Sequence, residues 1–256
     1  MIRGLYASAS AMVADRLRQD IVANNIANAT TPGFSRDCVG FESFPYVLIE
    51  ACDRGTLLGT ITQGSRACGT YIDTRKGPAA QTGGQADVFI RGEGFFVIQD
   101  GDRTVYTRQG SFAAGSGGLL VTQKGHPVLG VAGPIRAGSG ALSVDSRGWV
   151  RCGNETMGRL KVVRFKEQVM LVKDEHGYLT PGLGAAPGQG FPPGVGFMPE
   201  TVPEPDLEPG ALEMSNVNPV MEMVSLITVL RSYEANAKAL QAQDETLARA
   251  VNDIAR

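Results

Sequence analysis

Two histidines, four cysteines and a scatter of carboxylates are the side chains in this sequence that could do chemistry. A histidine beside a serine or cysteine would suggest nucleophilic catalysis. His126, in Lys-Gly-His-Pro, and His176, in Asp-Glu-His-Gly, both occupy turn contexts with no such neighbour. They read as surface histidines. Asp73, Asp87, Asp100 and Asp102 fall in turns or at strand edges, without the pairing a two-carboxylate mechanism uses. Cys38, Cys52, Cys68 and Cys152 lack the C-x-x-C spacing that brings two zinc ligands together. They read as small buried hydrophobes, with one disulfide among neighbours as the alternative. Gly92-Glu93-Gly94 precedes a strand rather than opening a helix, so it reads as a hairpin turn and not as a phosphate cradle. No catalytic, cofactor-binding or metal-binding residue is therefore expected.

Amides are a different matter. Residues 24–34, Asn-Asn-Ile-Ala-Asn-Ala-Thr-Thr-Pro-Gly-Phe, gather three asparagines at the end of an apolar-patterned segment. Pro32 pushes Thr31 out of the helical region and Gly33 can adopt the left-handed conformation, so Thr31, Pro32, Gly33 and Phe34 should turn the chain sharply.

The elements that must carry this turn are separated by composition. Of 33 glycines, 31 lie in residues 37–210, as do 12 of 14 prolines. Residues 2–29 hold one glycine and no proline, and residues 211–256 hold only Pro219, so both ends are expected to be long helices. In the C-terminal segment Met223, Leu226, Leu230, Tyr233, Ala237, Leu240, Asp244, Leu247, Val251 and Ile254 alternate three- and four-residue steps, which is a coiled-coil seam with one polar exception. Asn218 can cap that helix, Pro219 suits its first position and Glu222 complements its dipole. The N-terminal segment carries two stripes. Ile2, Leu5, Ala9, Met12, Ala23 and Ile26 follow one heptad line, interrupted by Arg16 and Gln19, while Val13, Leu17 and Ile21 form the second. Two apolar faces on one helix point to a multi-helix environment. The pattern runs past Asp15 and Arg16, which suits a retained helix better than a cleaved signal peptide.

Between the ends, short apolar or alternating runs at 86–90, 94–98, 104–107, 119–121, 148–150, 160–165 and 169–172, broken by glycine-rich turns, predict a mainly antiparallel sandwich or barrel. Residues 180–210, with eight prolines, read as an irregular connector. With 24 basic against 26 acidic side chains, whole-molecule attraction to nucleic acid is not indicated. No apolar run approaches the roughly 18 to 20 residues a membrane helix needs, so a soluble or exported chain is expected.

Six segments together resemble a known family, the flagellar axial proteins, and most closely their basal-body rod proteins. They are Gly4-Leu5-Tyr6, the asparagine-rich run 23–34, Gly-Glu-Gly-Phe-Phe at 92–96, Tyr-Thr-Arg-Gln-Gly-Ser-Phe at 106–112, Gly-Ala-Leu-Glu-Met-Ser-Asn-Val-Asn at 210–218, and Arg-Ser-Tyr-Glu at 231–234. Thr30, Ser35-Arg36 and Leu230 depart from the usual pattern, and the length suits a proximal-rod or distal-rod type.

The resemblance implies a fold with a mainly β middle domain and long N- and C-terminal α-helices pairing as a coiled-coil core segment. Residues 1–36 together with 211–256 would form that core, 37–180 a β-rich outer domain and 181–210 the connector. The implied function is a structural subunit that self-assembles helically into the torque-transmitting rod of the bacterial flagellar basal body. The implied partners are copies of itself, other rod and hook axial proteins and the flagellar type III export apparatus, with no cofactor, nucleic acid, membrane insertion or small-molecule substrate. Subunit interaction would fall to Leu5, Met12, Asn24, Asn25, Ile26, Asn28, Leu212, Asn216, Val217, Leu226, Leu230, Tyr233, Leu240 and Leu247. Asn24 and Asn28, four apart, would share a helix face and set register by bonding across to neighbouring helices. Termini loose before assembly would follow, since an exposed heptad seam invites early association. A coiled-coil-stalked β-domain fibre or adhesin binding glycans shares the layout, with Trp149 and Tyr178 as candidate platform residues. An all-β hydrolase would require a polar pocket that the sequence does not display.

Overall fold

The segment with one glycine and no proline forms α1, Ile2–Ala27, and the segment opened by Asn218-Pro219 forms α2, Pro219–Ile254, in a computed structural model of the chain. The structure describes residues 2–43, 47–50, 57–61, 64–138, 140–165, 171–182 and 199–254. Asn218 caps α2 as its chemistry suggests: its Oδ1 accepts from the amides of Val220 at 3.1 Å and Met221 at 3.3 Å, and its carbonyl accepts from Glu222 at 3.0 Å. At the end of α1 the amide of Thr31 donates to the Asn28 carbonyl at 3.1 Å, and Pro32 then prevents a further turn. No described helix is long and apolar enough to cross a membrane.

The chain divides into two compact units: residues 1–27, 37–71 and 218–256, and residues 28–36 and 72–217. In the first, α1 and α2 pack side by side, burying Ala14, Val22 and Val229. Two strand pairs belong to this unit: Asp37–Ser43 with Ser65–Ile72, and Val47–Glu50 with Leu57–Ile61. Segment 37–71 thus groups with the helices, although its composition resembles the β-rich middle.

The second unit is β throughout its described elements. Its six-stranded sheet runs Leu171–Lys173, Leu179–Pro181, Arg103–Thr107, Phe95–Asp100, Val162–Arg164, Glu200–Thr201, all neighbours antiparallel. The central strand is covered on both faces, because side chains alternate along it: Phe96 and Ile98 enter one core with Val105, Leu120, Leu160 and Tyr178, while Phe95 and Val97 enter another with Tyr106, Val163 and Leu179. A strand buried on both sides reads as a continuous apolar run, which is why 94–98 is legible in the sequence. Smaller antiparallel pairs join Val88–Ile90 to Leu207–Pro209 and Ala79–Gln81 to Ala211–Glu213.

The mainly β middle between two terminal helices is as expected. One turn differs. Gly92-Glu93-Gly94 connects Val88–Ile90 to Phe95–Asp100, which lie in different sheets, so it is a crossing and not a hairpin. Gly94 is needed there for a close approach: a Cβ on it would stand 2.7 Å from Val162 Cγ1. The strand expected at 169–172 begins at Leu171, its first two positions lying outside the described residues. Cys52 and most of the proline-rich connector also lie outside them.

Candidate assembly site

Two places concentrate the residues singled out by sequence: the paired helices, and the junction through which the chain leaves α1 and returns to α2.

On the helices, the line of α2 in contact with α1 mixes apolar and polar residues: Val229 is buried, and Ser232, Asn236 and Gln243 continue the line. Asp15, 8% exposed, accepts from Ser232 Oγ at 2.8 Å and from Asn236 Nδ2 at 3.3 Å. Gly4 lies against Gln243, where a Cβ would stand 2.8 Å from the amide nitrogen. Ser232, Asn236 and Gln243 follow heptad steps, one position before the apolar seam. That seam is consequently left partly uncovered: Leu226, Leu240 and Leu247 are half-buried, but Met223 is 52%, Leu230 39%, Tyr233 38% and Val251 65% exposed. Val220, Met221, Val224 and Ile227 add to the exposed apolar surface at the start of α2, and Tyr6 and Val13 do so on α1. Leu5, Met12 and Ile26 are half-buried.

The asparagines separate into different roles. Asn25 is buried, and its carboxamide closes both ways on the backbone of Asp37: Nδ2 donates to the carbonyl and Oδ1 accepts from the amide, each at 2.9 Å. It thereby serves as the first rung for the strand that follows the turn. Asn24 is exposed. Asn28 follows the last helical residue, and its Oδ1 accepts from the Thr31 hydroxyl at 3.3 Å.

At the junction, segments far apart in sequence meet. Gly33, with φ of 69°, donates its amide to the Glu213 carbonyl at 2.7 Å, and a Cβ there would stand 2.5 Å from Gln109 N. Asn216 ties three strands of chain: Oδ1 accepts from Arg36 N at 2.7 Å, and Nδ2 donates to the carbonyls of Asp73 at 2.9 Å and Arg75 at 2.8 Å. Lys173 donates to the Ser35 carbonyl at 2.6 Å and lies 3.6 Å from the centre of the Phe34 ring. Beneath them Arg108 and Glu213, each side chain 7% exposed, form an ion pair at 3.2 Å, and Glu213 also accepts from Gly77 N at 3.1 Å. Leu212 and Val217 are buried here. Arg108 and Glu213 lie within the segments 106–112 and 210–218, whose local sequence gives neither a role. Their pairing spans 105 residues, and only a charged residue inside each motif hinted at it.

No arrangement of nucleophile and base emerges at a described cleft of about 510 Å³, lined by Arg75, Lys76, Arg108, Arg164, Phe95 and Phe165 among others. Its four cations are engaged within the protein, with Asp73, the Arg91 carbonyl, Glu213 and Glu200 respectively. Asp73 is correspondingly held below the usual carboxylate range, first by its hydrogen bond from Arg75. His126 corrects the surface reading: its side chain is only 21% exposed, packed against Tyr178 and His176.

Three family profiles match the chain: "Flagella basal body rod protein" over residues 5–34, "Flagellar hook protein FlgE/F/G D1 domain" over 89–152 and "Flagellar basal body rod FlgEFG protein C-terminal" over 208–253. Full-length relatives agree. The flagellar basal-body rod protein FlgF of Caulobacter vibrioides is 33% identical over 100% of this chain and 99% of its own length. The rod protein FlgG of Bacillus subtilis is 31% identical, and that of Borreliella burgdorferi 30%, each across 98% of this chain and 99% and 98% of their own lengths. The adhesin reading finds no support in these matches.

Proposed function

The chain belongs to the flagellar basal-body rod protein family, and from that premise we propose that it is a structural subunit of the bacterial flagellar basal-body rod, assembling helically with copies of itself and other axial proteins. Its work is mechanical, transmitting torque along a shaft, and it needs no catalytic residue. The observation that carries this reading is the uncovered apolar surface of α2, running from Val220 through Met223, Leu230 and Tyr233 to Val251. A helix pair whose internal contact includes Ser232, Asn236 and Gln243 and which leaves much of its apolar heptad exposed is suited to receive further helices. Each large apolar side chain so covered contributes on the order of 1.5–3 kcal/mol. In this account the terminal helices form a coiled-coil core in the assembled rod, and delivery is through the flagellar type III export apparatus.

The test is a double substitution, Met223→Glu with Leu230→Glu, in the native chromosome. Both side chains are exposed, so the purified protein should keep its helical circular dichroism and thermal midpoint, while rod assembly and swimming are lost. Normal motility with both glutamates in place would overturn the assignment of this surface to assembly.

A further inference from the structure

Three turns distant in sequence bring Asp100, His126 and His176 together, with one potential ligand atom from each lying within 4.8 Å of the others. Asp100 ends the strand Phe95–Asp100, His126 follows the Lys124-Gly125 turn, and His176 lies in the turn before Leu179–Pro181. His126 Nε2 is 3.3 Å from Asp100 Oδ1. Two donors bound at about 2.0–2.2 Å to one tetrahedral Zn2+ stand about 3.3–3.5 Å apart, so this pair already has the spacing of two ligands on one ion. The rings of His126 and His176 are 5.2 Å apart between centroids, and His176 is exposed, free to turn its ring by a rotamer change.

What surrounds the ligands is also ordered. Nδ1 of His126 lies 3.0 Å from the hydroxyl of Tyr178, which lies 2.8 Å from Thr122 Oγ1. With Nε2 on a metal, Nδ1–H donates to the tyrosine oxygen and the tyrosine hydroxyl donates on to Thr122. That is the outer-shell partner metal-bound histidines ordinarily have, fixing tautomer and ring direction. The His176 turn is held by Asp174, whose Oδ1 accepts from the amides of His176 at 2.9 Å and Tyr178 at 2.8 Å. Lys124 donates to the His176 carbonyl and lies 5.5 Å from the Tyr178 ring centre, so its charge opposes a cation here.

We propose that Asp100, His126 and His176 form a binding site for a divalent first-row transition-metal cation, Zn2+ in the first instance, that staples three turns of the β unit. Two imidazoles and one carboxylate favour such an ion over Mg2+ or Ca2+, which take oxygen donors, and leave a fourth position for water. The site is independent of the helical surface assigned to assembly.

The experiment is a Zn2+ titration of the full-length protein by calorimetry, with Co2+ substituted for its absorption spectrum. One ion should bind per chain with a nitrogen and oxygen spectrum. Tyr178→Phe should weaken binding by about 10-fold, His176→Gln by more than that, and Lys124→Met should tighten it. Because His176 is exposed, its variant should keep the wild-type thermal midpoint in the absence of metal. No binding, equal affinity in wild type and His176→Gln, or a thiolate charge-transfer band showing that cysteines hold the ion would each overturn the proposal.

Discussion

The buried pair Arg108–Glu213 is the residue on which the β unit's junction most depends. Both side chains are almost fully removed from water, so removing one partner strands the other's charge. Glu213→Gln or Arg108→Met should each lower unfolding stability by about 3–5 kcal/mol, read as a fall in the urea midpoint, while the double change Arg108→Met with Glu213→Leu should cost markedly less than the sum. At the opposite extreme, the Arg75 partner of Asp73 is 82% exposed, so that pair contributes little at neutral pH. The sign of its pH effect follows from the depressed Asp73 carboxyl: its stabilisation is present above the unfolded value near 3.8 and is lost as pH falls through the lower folded value. Asp73→Asn should therefore leave stability near pH 7 almost unchanged and flatten the decline below about pH 4, measured by acid titration of the unfolding midpoint.

At the scale of elements, α1 and the strand Asp37–Ser43 are coupled by one side chain. Asn25 supplies both a donor and an acceptor to the Asp37 peptide, replacing a rung that a neighbouring strand would otherwise provide. Asn25→Ala loses two hydrogen bonds and leaves backbone groups without partners, so a loss of about 2–3 kcal/mol is expected. Asn25→Asp should be no better, because a carboxylate has no N–H to offer the carbonyl. Native-state hydrogen exchange at the Asp37 amide separates a local from a global effect. Within the asparagine run the buried amide is Asn25, while Asn24 is exposed.

For the whole molecule, the two units should differ in when they become ordered. The 72–217 unit contains the large cores around Phe96 and Phe95, whereas among the described residues the helical unit buries Ala14, Val22 and Val229 and exposes Met221, Met223, Val224, Ile227 and Leu230. In dilute protein the amides of the β strands should resist exchange while those of the last turns of α2 exchange within seconds, and assembly should protect the helices. Equal protection at both before assembly would mean that burial by neighbours contributes nothing to helix order. The Zn2+ ligands lie in the β unit, so metal should raise protection of the three turns and leave α2 unchanged.

What the sequence determined by itself was what local chemistry controls. Scarcity of proline and glycine marks the two helices, Asn218 and Pro219 mark the start of α2, Pro32 and Gly33 mark the turn, and the apolar run at 94–98 marks a strand buried on both faces. Short-range backbone preference and periodicity decide those features within a few residues. Tertiary structure alone decided the long-range choices: which heptad line α1 covers, which asparagine is buried, that Arg108 meets Glu213, and that two turn histidines converge on Asp100. The physical reason is the same in each case. A polar side chain's role depends on which partner folding brings within hydrogen-bonding distance, and Asp15, buried on α1, takes Ser232 and Asn236 opposite it, with much of the apolar seam left exposed.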